Sequence, residues 1–356
     1  MSEEAIAVAA TSRGRLLSRS MLLFGSCAPL LLGSILLSLS QGAADIPFAT
    51  TLRILLAELH LPVEHDWTAT EQTIVVDVRL PRVLMAAVVG ATLATCGGAY
   101  QGVFRNPLAD PYLIGAASGA ALGGTIAITS DIDGSYYSAS LLTVFAFVGA
   151  LAASFIAFAL GRSSRDSPTV SLILAGVAVS AFATAATSLL MLRSEDDLRV
   201  VLSWVLGGFN LASWSKIWLL VPYAAVSLLI IFLHSRLLNA MQLDDEEARH
   251  LGVDVRRVRF VLIAAVSVAT AAAVSVSGII GFIGLIVPHA IRLLGSVDYR
   301  QLLPISALAG AALLVFADLV ARTIIEPAEV PVGVLTAMLG APFFLLLLQR
   351  RQVVRL

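Results

Sequence analysis

The chain has few charged residues and very little lysine. Only 13% of its 356 residues are charged, against about 25% in an average soluble domain, and Lys216 is the single lysine. The formal net charge is −1, so nothing in the composition indicates nucleic-acid binding. Hydrophobic residues make up 58% of the chain, and several uncharged runs approach the roughly 20 residues that a membrane-spanning helix needs. The composition therefore excludes an ordinary soluble domain and predicts a membrane protein.

The sequence also lacks the motifs of common catalytic and metal sites. The two cysteines, Cys27 and Cys96, lie in apolar runs, and the five histidines are scattered. GxSxG, HExxH and the phosphate-gripping GxxxxGK[ST] are all missing. If ATP drives this protein, another polypeptide must therefore hydrolyse it. We expect no enzyme activity, no cofactor and no metal site.

The stretch 79–124 organises the rest of the chain. Between Arg82 and Arg105 lie 22 residues without a charge, which matches the hydrocarbon core of a bilayer. The run breaks at 105–107 and again at Asp110-Pro111, and a Gly- and Ala-rich run starts at once. An irregular segment between two membrane helices must be buried in protein or line a water-filled path. This stretch therefore indicates a conduit through the membrane.

Apolar segments recur along the whole chain, and we predict an all-α polytopic protein. The ten predicted spans are residues 20–40, 80–103, 112–129, 138–160, 169–192, 216–233, 260–276, 279–294, 304–324 and 331–348. The eighth contains Pro288 and two glycines, so we expect it to be short or broken. We also predict an amphipathic helix at 48–60. A second short helix is predicted at 200–214, at the interface and anchored by Trp204 and Trp214.

The basic residues predict the orientation. With the N-terminus inside, 16 of the 23 Lys and Arg residues fall on the inner side and 7 on the outer side, which favours both ends in the cytoplasm. The predicted layout is a cytoplasmic tail at 1–19, a ten-helix membrane domain at 20–349 and a cytoplasmic tail at 350–356. Within the membrane domain, 235–259 is the longest charged interval and is placed in the cytoplasm.

The acidic part of that interval has two interpretations. Asp244 to Glu247 are consecutive acids. Leu243, Ala248 and Leu251 would form one apolar stripe on a short helix that Gly252 ends. The segment is either a solvated surface loop or a docking helix for a soluble partner.

The predicted apolar spans contain few ionisable residues, of which Asp318 is the clearest. Asp318 and Arg322 are four residues apart, so a structural ion pair on one helix face is expected. A proton relay would need further buried acids, and none is found in neighbouring spans. Arg79, Arg82 and Arg322 either snorkel to the interface or clamp carboxylates of an external partner.

Several blocks together resemble the FecCD family, the permease subunits of ABC importers for iron chelates, haem and vitamin B12. The blocks are RLPR at 79–82, QGVFRNPLADP at 101–111, LAG at 174–176, SGIIGFIGLIVPH at 277–289, PVGVLT at 331–336 and GAP at 340–342. Any one block is a weak signal, but the combination is specific and extends over nearly the whole chain.

The resemblance implies an architecture and partners. It implies a ten-span permease with a type II importer fold in a bacterial cytoplasmic (inner) membrane, acting as a homodimer with the path between the two copies. Two separate ATP-binding-cassette subunits would hydrolyse ATP, and a periplasmic or lipid-anchored binding protein would deliver the substrate. The substrate would be a ferric siderophore, haem or a corrinoid. The alternative is a stand-alone, ion-coupled secondary transporter.

The resemblance also implies roles for individual residues. The ATPase-coupling segment would comprise Glu246, Glu247, Ala248, Arg249, Leu251 and Gly252. The binding protein would dock on Arg79, Arg82 and Arg322. Asn106, Leu108 and Thr169 would form the cytoplasmic gate, although Pro168 departs from the small hydroxyl residue of some relatives.

Overall fold

The chain folds almost entirely into helices. The computed structural model describes residues 3–42, 44–130, 138–162, 168–193, 197–295, 297–325 and 328–353. In chain order the helices are α1 (Glu3–Ser40), α2 (Phe48–Glu58), α3 (Ala69–Thr73), α4 (Leu80–Val103), α5 (Ala116–Thr129), α6 (Ser138–Gly161), α7 (Pro168–Arg193), α8 (Leu198–Val205), α9 (Trp214–Leu233), α10 (Ser235–Ala240), α11 (Asp245–His250), α12 (Val255–Ser277), α13 (Ile283–Leu293), α14 (Tyr299–Thr323) and α15 (Val332–Val353). A π-helical segment, Ile74–Arg79, leads into α4, and a 3₁₀ turn, Pro111–Ile114, precedes α5.

Six of these helices are long and apolar enough to cross a membrane by length and composition. The six apolar segments are Leu22–Ser40, Leu141–Gly161, Val170–Arg193, Trp214–Leu233, Val255–Ser277 and Tyr299–Thr323. The other four predicted spans coincide with α4, α5, α13 and α15, of which α5 has 14 residues and α13 only 11. The prediction of an all-helical, multi-pass membrane protein is therefore confirmed.

Helix ends differ from the predicted span ends at both termini. The first helix begins at Glu3, within the predicted tail 1–19. The last continues to Val353, within the predicted tail 350–356, whose residues 354–356 lie outside the described part. Hydropathy reports where a segment prefers lipid, whereas a helix continues as long as its backbone hydrogen bonds can form.

Helix α4 lies at the centre of the bundle and is buried along most of its length. A Cβ added to Gly90 would lie 2.3 Å from the carbonyl oxygen of Gly310 in α14, and one added to Gly97 would lie 1.8 Å from that of Gly284 in α13. Helices approach this closely only where small residues meet, which is the usual basis of packing inside membranes. The glycines of α4 therefore determine how closely two neighbouring helices pack on it.

The predicted eighth span, expected to be short or broken, is short: only Ile283–Leu293 is helical, and this helix continues through Pro288. Helix α12 ends at Ser277, and its C-cap Gly278 has a φ of +67°. Helix α13 begins only after Phe282, which has a φ of +70°. Between the two helices, the Ile280 carbonyl accepts a hydrogen bond of 3.0 Å from the Tyr112 hydroxyl. The Ser277 carbonyl at the end of α12 accepts one of 2.8 Å from the N–H of Gly208. The irregular segment that follows α8 thus satisfies a backbone carbonyl at the end of α12.

Both short helices outside the main bundle are present. The predicted helix at 48–60 is observed as α2, Phe48–Glu58. The one predicted at 200–214 is the shorter α8, which ends at Val205 before the two glycines. Trp204 does not anchor it as an exposed interfacial residue, because its ring packs on Gly124 of α5. The Trp214 indole donates a hydrogen bond of 3.1 Å to the carbonyl of Val76.

Candidate functional site

The acidic interval folds into the short helix α11, which is fixed to the end of α4. The carboxylate of Asp245, the first residue of α11, lies 2.5 Å from the guanidinium of Arg105 and 3.5 Å from that of Arg259. Acidic residues occupy its first turn and Arg249 and His250 its last, which is the arrangement that the helix dipole favours. The charges of α11 therefore stabilise the helix and tie its start to the loop after α4.

Gly252 ends α11, as the sequence predicts. Its φ is +83°, its N–H donates to the carbonyl of Arg249 at 2.8 Å, and the N–H of Val253 donates to that of Ala248 at 3.1 Å. These two bonds form a Schellman motif, which needs a left-handed residue at the position of Gly252. The glycine satisfies the last carbonyls of a helix that is only six residues long.

Most predicted coupling residues are exposed on α11. Glu246, Glu247, Arg249, Leu251 and Gly252 face solvent, whereas Ala248 is fully buried. No ion pair links Glu246 or Glu247 to any other residue described by the structure.

The predicted apolar stripe does not form. Leu243 precedes the helix and is 43% exposed, and Leu251 caps its end and is 65% exposed. The helix begins only at Asp245, so the three residues do not share one helical face. Of the three, only Ala248 packs inward, and the exposed side chains of Glu246, Glu247 and Arg249 are accessible to a partner.

The predicted gate residues Asn106 and Leu108 form a compact turn beside α11. The Asn106 side-chain oxygen accepts a 3.0 Å hydrogen bond from the N–H of Leu108, and its carbonyl accepts one from Ala109. Arg105 has a φ of +48°, and its Nε donates to the carbonyl of Met241 at 2.5 Å. Arg105 therefore joins this turn to the segment that contains α11.

Thr169, the third predicted gate residue, follows the first residue of α7. Its side chain lies outside the described part of the chain. Its relation to Asn106 stays a prediction.

Asp110 follows the gate turn and caps the 3₁₀ turn. Its carboxylate accepts a hydrogen bond of 2.9 Å from the N–H of Tyr112. Burial raises the pKa of the Asp110 carboxyl to about 6, and the hydrogen bond from Tyr112 opposes this rise. The charged form of Asp110 is therefore less favourable in the folded protein than in the unfolded chain.

Asp110→Asn is expected to stabilise the protein at high pH only. A folded pKa above the unfolded value means that wild-type stability falls as pH rises from about 4 to about 6, by on the order of 1–3 kcal/mol. Asparagine keeps an acceptor for Tyr112 and does not titrate. Thermal unfolding in detergent should show the variant melting higher than wild type at pH 8 and equally at pH 4. A gain of equal size at both pH values would contradict this assignment.

A network that sequence reasoning missed lies at the same end of the bundle. The buried Gln101 donates to the carbonyls of Gly284 and Leu285, each at 3.3 Å. Arg292 donates to the side-chain oxygen of Gln101 and, at 3.1 Å, to the hydroxyl of Tyr299. In the sequence Arg292 looks like one of many inner-side arginines, and nothing there pairs it with Gln101. The network joins α4, α13 and α14 near the gate turn.

Arg79, at the opposite end, is engaged inside the protein. It is 4% exposed, and its guanidinium donates to the carbonyls of Leu39 at 2.8 Å, of Ser40 at 3.2 Å and of Ala44. These carbonyls lie at and just after the end of α1, where helical partners are missing. Arg79 therefore caps α1 and does not present a free guanidinium.

Arg82 is the main partner of Asp318. Its Nε and terminal nitrogen lie 2.9–3.1 Å from the Asp318 carboxylate, and it also contacts Glu329 at 3.0 and 3.1 Å. The predicted pair of Asp318 with Arg322 is longer, at 3.9 Å. Arg322 instead donates to the carbonyl and, at 2.6 Å, to the hydroxyl of Ser38.

The three arginines are brought together, but they differ in access. Arg79 and Arg322 are buried. The side chain of Arg82 is 13% exposed, and that of its second partner, Glu329, is 36% exposed. Only the Arg82–Glu329 pair is therefore open to exchange with an external carboxylate. Among the described residues, no group of three or more His, Cys, Asp or Glu side chains could hold a metal ion.

Comparison with known proteins places these features in one family. The FecCD transport family matches residues 30–350. The chain is 44% identical over 295 residues to the cobalamin import system permease protein BtuC of Halobacterium salinarum, covering 82% of this chain and 78% of that protein. It is 44% identical over 282 residues to the hemin transport system permease protein HmuU of Yersinia pestis, covering 78% and 83%. A solved metal-chelate type ABC transporter in an inward-facing conformation superposes with a TM-score of 0.77 at 33% identity, covering 93% of this chain and 99% of that one.

Proposed function

Because the chain belongs to the FecCD transport family and is a permease subunit of an ABC importer, we propose that two copies enclose a path for an iron chelate or a corrinoid. The permease is a transport component, and separate subunits hydrolyse ATP. The observation that carries the proposal is the connection from the exposed helix α11 through Asp245 and Arg105 to the turn at Asn106. This connection gives a soluble ATPase a mechanical route into the membrane path.

The proposed topology has ten spans with both ends in the cytoplasm. The 16-to-7 distribution of Lys and Arg supports this orientation. It places α11, the gate turn and both termini on the cytoplasmic side, and Arg79, Arg82 and Arg322 on the outer side of the inner membrane. The ten-helix membrane domain then extends over 20–349, with 235–259 as its cytoplasmic coupling segment.

Relatives support the proposed substrate class but do not select one substrate. The similar permeases are named for cobalamin, hemin and, in an FhuB of Bacillus subtilis that is 40% identical over 333 residues, iron(3+)-hydroxamate. These ligands are all bulky metal complexes. The proposed substrate is therefore a ferric siderophore, haem or a corrinoid, which a periplasmic or lipid-anchored binding protein would select before delivery.

The proposed coupling step starts at the exposed acids of α11. An ATPase subunit contacts Glu246, Glu247 and the segment Arg249–Gly252 that follows them. Because Asp245 holds Arg105 at 2.5 Å, a displacement of α11 pulls on the residue next to Asn106. Asn106, Leu108 and Thr169 then open or close the cytoplasmic end of the path, and Ala248 keeps α11 anchored.

The proposed docking step uses Arg82 as the exchangeable cation. A carboxylate of the binding protein takes the place of Glu329 on Arg82, while Asp318 stays buried behind it. Arg79 and Arg322 belong to the same docking site. Both donate hydrogen bonds to the end of α1, and Arg322 also lies near Asp318. These different roles of the three arginines follow from how exposed each guanidinium is and from which internal groups it already binds.

Removal of the competing carboxylate is expected to strengthen docking. Glu329→Gln frees one edge of the Arg82 guanidinium, so the binding protein should bind several-fold more tightly. Arg82→Gln should weaken binding by roughly tenfold, the size expected for one charge pair at an interface. Both affinities can be measured by interferometry on the assembled importer.

Arg53→Gln is the matched control for this comparison. Arg53 pairs with Asp66 at 2.6 Å in the segment between α1 and α4. Arg53 is not assigned to docking. Its substitution should leave the affinity unchanged. Weaker docking by Glu329→Gln would contradict the assignment of Glu329 as a competitor.

Reconstitution tests the whole proposal. Co-expression with the ATPase subunits should yield a stable assembly of two permease and two ATPase chains. Uptake into liposomes should require ATP and the binding protein. A chain that forms no assembly with an ATPase, and whose uptake persists without nucleotide but collapses with an uncoupler, would instead be an ion-coupled secondary transporter.

A further inference from the structure

The only lysine of the chain is buried, and no partner for it is found among the described residues. Lys216 is 9% exposed, and it forms no hydrogen bond or ion pair with any residue that the structure describes. It lies in the first turn of α9, within one turn of the exposed Trp218. A long basic side chain at a helix end directs its ammonium toward the interface, and in a helix side chains lean toward the N-terminus. Both tendencies favour a Lys216 ammonium directed toward the start of α9.

The start of α9 is itself suited to an anion. Helix α9 has 20 residues, and the side chain of Ser213, its N-cap, makes no capping hydrogen bond. The Ser213 hydroxyl instead lies 2.9 Å from that of Ser215. The first N–H groups of a helix have no helical acceptors and, together with the helix dipole, attract phosphate groups. The two hydroxyls, the open N–H groups and Lys216 thus all belong to the N-cap and the first turn of α9.

An apolar cavity of about 170 Å³ lies between α6, α9 and α12. It is lined mainly by apolar side chains, including Val144 and Phe147 of α6, Leu219 and Tyr223 of α9, and Ala272 and Val276 of α12. The cavity opens on the surface of the bundle that faces away from its core, because Val144, Leu219 and Tyr223 are 42–49% exposed. Apolar cavities of roughly this size stay dry and accept hydrocarbon ligands.

The cavity and the anion site are aligned along α9. Leu219, Leu220 and Tyr223 follow Lys216 by three, four and seven positions and so share its side of the helix. At about 1.5 Å per residue they lie about 4–11 Å deeper than Lys216. That is the direction from the headgroups of a leaflet into its hydrocarbon region.

We propose that the start of α9 and this cavity form one phospholipid site. The phosphate of the lipid binds the Lys216 ammonium and the hydroxyls of Ser213 and Ser215, and one acyl chain enters the cavity beneath them. The occupant is a lipid because the cavity opens on the outside of a membrane bundle and the cation stands at its headgroup end. The site involves none of the residues assigned to coupling, gating or docking.

Native mass spectrometry of the full chain in detergent tests this site. The probes are a phosphatidylglycerol and a diacylglycerol that carry the same acyl chains. Lys216→Met should weaken phosphatidylglycerol binding about tenfold, as expected for the loss of one charge-assisted hydrogen bond, and leave diacylglycerol binding unchanged. Lys216→Arg should retain the phospholipid. Equal binding of phosphatidylglycerol by wild type and Lys216→Met would overturn the proposal.

A second pair of variants tests the cavity. Leu219→Trp narrows its mouth and should weaken binding of both lipids, whereas Leu229→Trp, at another exposed leucine of α9, should not. A Leu219→Trp protein that binds both lipids normally but no longer dimerises would assign this face to a second copy and overturn the lipid assignment. Displacement of the lipid by glycerol phosphate alone would overturn the role of the cavity.

Discussion

Reversal of both exposed acids of α11, with Glu246→Lys and Glu247→Lys, is expected to abolish most ATP-driven uptake. Loss of a charge pair at an interface costs about 2–5 kcal/mol, so ATPase affinity should fall by on the order of thirtyfold to several-thousandfold. Both side chains face solvent, so the membrane fold should persist. Two lysines in the first turn of a helix cost only about 0.3–1 kcal/mol each through the helix dipole.

The measurement is the affinity of the solubilised permease for its ATPase subunits, together with uptake in liposomes. A matched control reverses two exposed acids of the excursion before α4, with Glu64→Lys and Asp77→Lys. The control carries the same change of charge and should bind the ATPase normally. Wild-type affinity and uptake in the α11 variant would remove these two residues from the coupling segment.

Hydropathy could predict the architecture but not the helix ends. The predicted spans coincide with observed helices because a long run without charges is stable only as a helix in lipid. Hydropathy does not predict that α1 begins at Glu3, because residues outside the bilayer can continue a helix without being apolar. The start of α11 at Asp245 similarly depends on its contacts with Arg105 and Arg259.

Contacts between side chains of helices that are distant in the sequence could not be predicted. Spacing along one helix predicted Asp318 with Arg322, but Arg82, 236 residues away, is closer to the carboxylate. The contact between Arg292 and Gln101 spans 191 residues and was missed for the same reason. Such pairs depend on how helices pack, which a single sequence does not report.

The second large effect is a loss of stability that we expect when the contact between α4 and α13 is disturbed. Gly97→Ala is expected to destabilise the protein severely, although alanine is the better helix former by about 1 kcal/mol. The new Cβ would lie 1.8 Å from the Gly284 carbonyl oxygen and 2.3 Å from its carbon. Both atoms belong to the backbone, so no side chain can turn away and α13 must move outward as a whole.

That movement would also disturb the contacts beside the crossing. Gln101, one turn further along α4, donates to the carbonyls of Gly284 and Leu285 and accepts from Arg292. Overpacking alone typically costs 1–3 kcal/mol, and loss of buried hydrogen bonds adds to it. We therefore expect a large fall in the melting temperature and in the yield of folded protein.

Gly98→Ala is the matched control, because it adds the same methyl group one residue along the same helix. Its nearest neighbour would be the Cδ2 of Leu303 at 3.0 Å, the flexible tip of a side chain that can rotate. Helix propensity then offsets the small clash, and Gly98→Ala should melt near the wild-type temperature in detergent. If both variants melted alike, the close approach of α4 and α13 would not limit stability. A fall confined to Gly97→Ala would show that the backbone contact with Gly284 outweighs the intrinsic preference of α4 for alanine.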